Sequence, residues 1–246
     1  MSTTRDPLSV RPVRRTDDLP AWDVVLQALG GVRLSGDDGE AVYQLGAGRL
    51  ALRPADDAHP AGSTELCLET SVPLAEAVEA ARAEGVPIEL LEGEGGPLAV
   101  ITADDGVQLT LEPLTPNPEE LAASEPSLAV LPVWRTPAGR VALDVLDGLG
   151  LRRRVTLEDG TWADLTARTG GLHGVQPMSE VGTELAFELT GRVESLLEPL
   201  ASAGVPAEVV EEETCRVLRV PDPDGGEPLR VVEREPDLYS YALSEM

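Results

Sequence analysis

The chain has 246 residues, of which 42% are hydrophobic and only 3% aromatic, a composition typical of a folded protein with a core of Leu, Val and Ala. Its formal net charge is −25, from 44 acidic residues against 19 cationic residues that are all Arg. This balance excludes lysine Schiff-base chemistry and argues against nucleic-acid or anionic-membrane partners. The acidity could attract a cationic ligand, or it could simply keep the surface soluble.

The first half of the chain predicts two helices set among strands. A strand at residues 10–16 precedes a helix with an apolar stripe at Trp22, Val25, Leu26 and Leu29. The second helix has its stripe at Leu74, Ala77, Val78 and Ala81 and ends at a glycine, Gly85. The other strands of this half are predicted at residues 41–45, 49–53, 64–69, 88–91, 97–102 and 108–112.

Residues 113–126 hold four prolines and no strand pattern, which predicts a semi-rigid linker between domains at 8–112 and 127–235. After the linker the same order of elements recurs. The helix stripes are Ala142, Val145, Leu146, Leu149 and Val193, Leu196, Leu197, Leu200, and the strands lie at 161–167, 172–176, 183–188, 207–211, 215–220 and 229–233. Pro199 would cost the last helix about 3 kcal/mol unless that helix kinks or starts late.

Short motifs repeat between the halves in the same order. Thr64-Glu65-Leu66-Cys67-Leu68-Glu69 recurs as Thr183-Glu184-Leu185-Ala186-Phe187-Glu188, at an offset of 119 residues (183 minus 64). Gly85-Val86-Pro87 and Asp105-Gly106 recur at the same offset. A period this long indicates a duplicated domain and not a solenoid.

This order of βαβββ modules, with Leu29-Gly30 closing the first helix and Asp222-Pro223-Asp224-Gly225 before the last strand, resembles the vicinal oxygen chelate superfamily. Glyoxalase I, extradiol dioxygenases and bleomycin-resistance proteins belong to it. The resemblance covers nearly all of the chain and implies an α+β fold of four βαβββ modules in two tandem domains, each with one cavity.

Enzymes of this superfamily bind a divalent metal with His and Glu from the first strands of the modules and the last strands of the sheets. The resemblance places those positions at Val10 or Arg11, Glu65, Thr110 and Leu52 or Arg53, and in the second domain at Val130 or Leu131, Glu184, Arg230 and Val175 or Gln176. One carboxylate per cavity is too few for a metal, which needs three or four ligands. We therefore predict no metal and no cofactor.

The candidate ligand-binding residues are Glu65 and Glu184, which are equivalent in the duplication, with Arg14, Arg230, Trp134 and Trp162. The two glutamates could bind a cationic group, act as bases or serve only the fold, and Glu184 could instead pair with Arg230. The tryptophans could line a pocket or belong to the core. No catalytic residue can be named.

The remaining reactive side chains favour ordinary roles. His59 is predicted in a loop, and His173 at a strand edge near the second cavity. Cys67 lies where the second half has Ala186, which favours a small buried hydrophobe, and with Cys215 it makes no disulfide framework.

Three functions remain open. The first is a metal-free protein of the glyoxalase or bleomycin-resistance type that binds a small molecule, with a cationic organic ligand as one candidate. The second is a lyase or isomerase with Glu65 or Glu184 as base and Arg14 or Arg230 stabilising negative charge. The third is a scaffold with filled cavities.

The expected setting is the cytoplasm. The chain has no long apolar run and its N-terminus lacks a signal-like stretch. A duplicated chain can complete its own cavities, which suits a monomer, and a homodimer is the alternative.

Overall fold

The computed structural model of the chain describes residues 7–36, 39–93, 96–114, 116, 124, 127–156, 162–212 and 215–234. Most of the predicted linker at 113–126 and the tail from residue 235 onward lie outside the described residues. The described residues of each half form one mixed sheet with two α-helices, so the predicted α+β class with two tandem domains is confirmed.

The sheet of the first domain has nine strands. They are β1 (Leu8–Val10), β2 (Val13–Thr16), β3 (Val32–Gly36), β4 (Ala41–Gln44), β5 (Arg49–Pro54), β6 (Thr64–Thr70), β7 (Ile88–Gly93), β8 (Gly96–Thr102) and β9 (Gln108–Pro113). Their order is β3-β4-β5-β2-β6-β9-β8-β7, and β1 also pairs with β6. The first strands of the two modules, β2 and β6, are antiparallel neighbours, so one sheet joins both modules.

The sheet of the second domain repeats this topology with eight strands. They are β10 (Leu128–Thr136), β11 (Arg152–Thr156), β12 (Ala163–Thr166), β13 (Leu172–Pro177), β14 (Gly182–Leu189), β15 (Glu208–Glu211), β16 (Arg216–Val220) and β17 (Leu229–Glu233). Their order is β11-β12-β13-β10-β14-β17-β16-β15. Each strand of the second sheet therefore has a counterpart in the first, and positions can be compared by register.

The four helices lie where the apolar stripes predict them. They are α1 (Leu19–Ala28), α2 (Leu74–Ala83), α3 (Gly139–Gly148) and α4 (Leu197–Ser202). Gly85 follows α2 with a φ of 85°, a left-handed conformation that suits glycine at a helix end. A 3₁₀ turn, Val193–Leu196, precedes α4, so Pro199 falls in the first turn of a late-starting helix, where proline is tolerated.

The structure corrects two details of the predicted strands. The first strand is divided into β1 and β2 around Arg11 and Pro12, and Pro12 has no N–H to donate to a ladder. The strands β3 and β11, which complete each first module, are absent from the prediction. They carry many exposed residues and so lack the apolar signal of a buried strand.

The two faces of each sheet have different partners. Apolar residues of α1, such as Trp22 and Leu26, share one core with Leu52 of β5 and Leu66 of β6. Alternate strand residues point to the opposite face, here called the helix-free face, and form separate apolar clusters.

Backbone hydrogen bonds join the domains with approximate two-fold symmetry. Val130 donates to Ala47 O, in the loop between β4 and β5, at 3.0 Å, and the equivalent Val10 donates to Gly170 O, in the loop between β12 and β13, at 3.0 Å. The two loops meet at Gly48, whose φ is 80° and where a Cβ would lie 2.9 Å from Gly171 Cα. A side chain at Gly48 would clash with Val130 and Gly171 of the second domain.

Candidate ligand-binding site

The helix-free face of the second domain has an apolar floor. Five buried residues form it: Ala129, Leu131, Val133, Leu172 and Ala186. The corresponding cluster of the first domain is smaller and consists of Val13, Ala51 and Cys67. Polar side chains surround both clusters, and they differ between the domains.

A buried ion-pair network fills the helix-free face of the first domain. Arg11 Nε lies 2.9 Å from Glu69 Oε1, and Arg49 Nη1 lies 3.1 Å from Glu69 Oε2. The side chain of Arg11 is 2% exposed and that of Glu69 is fully buried, so these charges depend on each other for compensation. Arg11 also pairs with Glu112, which in turn lies 3.2 Å from Arg53.

This network changes the titration of its neighbours. Burial raises the pKa of the Cys67 thiol to about 11, although the nearby Arg11 charge opposes the shift. Burial alone would raise the pKa of Glu112, but the charges of Arg11 and Arg53 lower it below its usual value. Cys67 is therefore a neutral buried thiol at physiological pH, in line with its predicted role.

The second domain keeps the equivalent carboxylate and neutralises it from another strand. Glu188 stands at the Glu69 position and pairs with Arg154, Nη2 to Oε2, at 2.5 Å. Arg154 also pairs with Asp164 at 2.7 Å, and it lies where the register of β11 against β12 shifts. A bulge of this kind redirects a side chain. Arg11 and Arg49, which pair with Glu69 in the first domain, are replaced here by Leu131 and Leu172.

The predicted pair of equivalent glutamates, Glu65 and Glu184, differs between the domains. Glu65 forms an ion pair with Arg15, whose Nη1 also donates to Pro54 O at 3.0 Å. Glu184 lies directly across from Val133 on β10 and is half-buried. Within the described part of the chain Glu184 forms no ion pair, so the alternative in which it pairs with Arg230 does not hold. Arg230 Nη2 lies 2.6 Å from Glu212 Oε2 instead.

Trp162 covers the other side of the apolar floor. It precedes β12, packs against the apolar cluster and donates from Nε1 to Asp164 Oδ2 at 3.4 Å. Its ring lies on the backbone of Gly174, where a Cβ would be 2.5 Å from the ring atom Cη2. The first domain has Ala51 at this position, so the glycine makes room for the indole.

Arg14 and Trp134 lie at the contact between domains and not on a helix-free face. Arg14 pairs with Asp222, and its guanidinium carbon is 5.7 Å from the centre of the Trp22 ring. Trp134 is buried in the shared core and donates from Nε1 to Asp105 at 3.1 Å. The structure thus separates these two residues from Glu184 and Trp162.

The two histidines occupy opposite environments. His59 is in an exposed loop, as predicted, with Nδ1 3.1 Å from Asp56 Oδ1. His173 is fully buried within β13, so its predicted place at a strand edge is wrong. It stands between Leu172 and Gly174, which belong to the helix-free face, and so it points to the core side. Burial lowers its pKa to about 4, so it is neutral near pH 7.

The residues at the superfamily's metal positions do not fit a divalent metal. On the two helix-free faces these positions hold Arg11, Glu65, Thr110 and Arg53, and Leu131, Glu184, Arg230 and Gln176. Arginines repel a cation, and one carboxylate supplies too few ligands. Among the described residues, no three His, Cys, Asp or Glu side chains are grouped to hold a metal ion.

Solved structures share the whole two-domain architecture. An extradiol ring-cleaving dioxygenase from B. fuscum superposes with a TM-score of 0.63 over 93% of this chain and 73% of its own, at 14% identity. The chain has the vicinal oxygen chelate fold. Catechol 2,3-dioxygenase gives a TM-score of 0.57 at 13% identity, over 92% of both chains. A Mn(II)-bound glyoxalase from Novosphingobium aromaticivorans gives 0.62 at 14% identity, over 93% of this chain and 82% of its own.

These likenesses to proteins with the vicinal oxygen chelate fold concern architecture alone, because the identities are low. No protein-family profile matches the chain, and no curated protein matches it. Within the described residues, no helix is both long and apolar enough to cross a lipid bilayer.

Sequence reasoning misses the buried charges Arg11, Glu69, Arg154 and Glu188. A signal for the glutamates exists, because Glu69 and Glu188 close the same repeated motif that contains Glu65 and Glu184. Strand alternation puts all four glutamates on the helix-free faces. The arginines that neutralise Glu69 and Glu188 come from different strands in the two domains, so the repeat carries no signal for these arginines.

Proposed function

We propose that the protein binds a small organic molecule without a metal, on the helix-free face of its second domain. The observation that carries the proposal is the half-buried Glu184 beside an apolar floor that Trp162 borders. Glu184 has no ion-pair partner among the described residues. The carboxylate of Glu184 and the indole of Trp162, which lie on either side of apolar residues, suit a ligand with a cationic group and an apolar or aromatic body.

The register of the sheet sets the scale of this site. Gly174 under Trp162 pairs with Val133, and Val133 pairs with Glu184 on its other side. The backbone of Gly174, beneath the indole, and the backbone of Glu184 are therefore two strand spacings, about 10 Å, apart. The side chains of Trp162 and Glu184 can both contact one molecule the size of an arylalkyl amine. The strongly acidic surface would raise the local concentration of such a cation.

The first domain is less suited to a ligand. Its helix-free face holds the Arg11–Glu69 network, and its Glu65 is paired with Arg15. The lyase or isomerase alternative has weaker support, because Arg14 and Arg230 are each paired with carboxylates away from the two candidate bases.

Binding of phenethylamine, a cationic aromatic probe, tests this proposal. Trp22 and Trp134 are buried, so Trp162 should dominate the change in tryptophan fluorescence. We expect Glu184→Gln to weaken binding about 10-fold, the effect of losing one charge-assisted hydrogen bond. Gly174→Ala, which installs the first-domain residue, should weaken binding too by displacing the indole. The control Glu65→Gln should bind like the unaltered protein, and equal loss in that control would contradict the proposed site.

A further inference from the structure

An arginine and a glutamate that form an ion pair in the first domain are unpaired, among the described residues, at the equivalent positions of the second domain. Arg15 and Glu65 are ion-paired, and each lies at the same register as its counterpart, Arg135 or Glu184. Within the described residues, Arg135 and Glu184 form no ion pair with each other or with any other group. The two domains can therefore be compared directly, because the same backbone arrangement holds an ion pair in the first domain and, in the described part of the second, two unpaired charges.

Arg135 lies over a glycine and keeps an unused donor. Its Nη2 is 3.4 Å from the place a Cβ would take on Gly182, the residue across from it on β14. The first domain has Ser63 at the position of Gly182. Arg135 Nε is buried and donates to no group of the described structure. A buried N–H without an acceptor is costly, so this donor calls for an acceptor that the described residues do not supply.

We propose that the second domain recognises a zwitterion of the α-amino acid type with an aromatic or apolar side chain. Arg135 would bind the carboxylate and Glu184 the ammonium, with the side chain on the floor beside Trp162. This proposal rests on the proposed function and specifies the class of ligand. A guanidinium suits a carboxylate because its N–H groups can form two parallel hydrogen bonds with it.

The charge of the protein explains why both groups are needed. A simple carboxylate approaching a chain of formal charge −25 is repelled, whatever Arg135 offers at close range. An ammonium on the same molecule cancels that repulsion and pairs with Glu184. An amine without a carboxylate satisfies Glu184 alone and leaves the Arg135 donor unused. The zwitterion is therefore the ligand that pairs with both Arg135 and Glu184.

Three probes that share a phenylethyl group test this: L-phenylalanine, phenethylamine, which lacks the carboxylate, and 3-phenylpropionate, which lacks the ammonium. Calorimetric titration should give phenylalanine an affinity at least about 10-fold above that of either truncated probe. Arg135→Gln should reduce phenylalanine to the affinity of phenethylamine and leave phenethylamine within about twofold. Arg15→Gln, at the closed pair of the first domain, is the matched control and should change neither affinity. Thermal melting of each variant checks that it is folded.

The outcomes separate this inference from the proposed function. If phenethylamine binds through Glu184 as tightly as phenylalanine, and Arg135→Gln changes neither, the zwitterion is wrong and the binding function stands. If none of the three probes binds the folded protein, both are overturned. If 3-phenylpropionate binds best, Glu184 does not select an ammonium, and the inference fails.

Discussion

Replacing Glu69 by Gln is expected to lower the free energy of unfolding by about 3–5 kcal/mol, the effect of breaking a buried ion pair from one side. Glu69 compensates both Arg11 and Arg49, and its side chain is fully buried. The amide would take the Glu69 charge away from two guanidinium groups in a region of low water access, and Arg11 would keep its pairing with Glu112. Urea denaturation followed by circular dichroism measures the loss.

Two further variants show whether charge is the cause. Glu65→Gln removes a half-buried carboxylate on the same strand, and we expect a loss below about 1 kcal/mol. Arg11→Leu, the residue found at the equivalent Leu131, should recover part of the stability when combined with Glu69→Gln, because it removes one of the two cations that Glu69 compensates. A loss below 1 kcal/mol for Glu69→Gln itself would show that the network is not needed for stability.

His173 is expected to make the protein less stable in mild acid. Its pKa is about 4 in the folded protein because of burial, against an ordinary value of 6.5. The unfolded chain therefore takes up this proton first as the pH falls. The stabilising contribution is complete above pH 6.5, declines as the pH falls toward 4, and amounts to about 3 kcal/mol over that window.

The variant His173→Leu should remove this part of the pH dependence. The registers of β5 on β2 and of β13 on β10 put Leu50 at the equivalent place in the first domain, so a leucine suits the site. We expect the stability of the variant to fall by about 3 kcal/mol less than that of the unaltered protein between pH 6.5 and pH 4. Equilibrium unfolding at several pH values measures this. The exposed His59, replaced by Gln, is the control, and parallel curves for all three proteins would contradict the prediction.

The fold could be predicted from the sequence because its signals are local and occur twice. The stripes Trp22 to Leu29 and Ala142 to Leu149 each mark a helix and end at a glycine. The prediction misses β3 and β11, since these strands carry mostly exposed or half-buried residues and show no apolar alternation.

The candidate site could be predicted only in part. Glu184 and Trp162 lie beside the same apolar floor, whereas Arg14 and Trp134 lie at the contact between domains. The position of Arg14 and Trp134 could be predicted from the alternation of side chains along β2 and β10. Val13 and Val133 face the helix-free side, so Arg14 and Trp134, the residues that follow them, must face away from it. The role of Arg154 had no local signal, since it depends on a bulge and on partners from two other strands.

The central claim, metal-free binding by one of two duplicated domains, is tested most directly by the stoichiometry of phenethylamine binding. The protein is first treated with EDTA and dialysed, and the probe is then titrated calorimetrically before and after addition of Zn²⁺ or Mn²⁺. The proposed site predicts one molecule bound per chain, with an affinity that neither the chelator nor the added metals change. Binding that disappears with EDTA and returns with a metal would contradict this account.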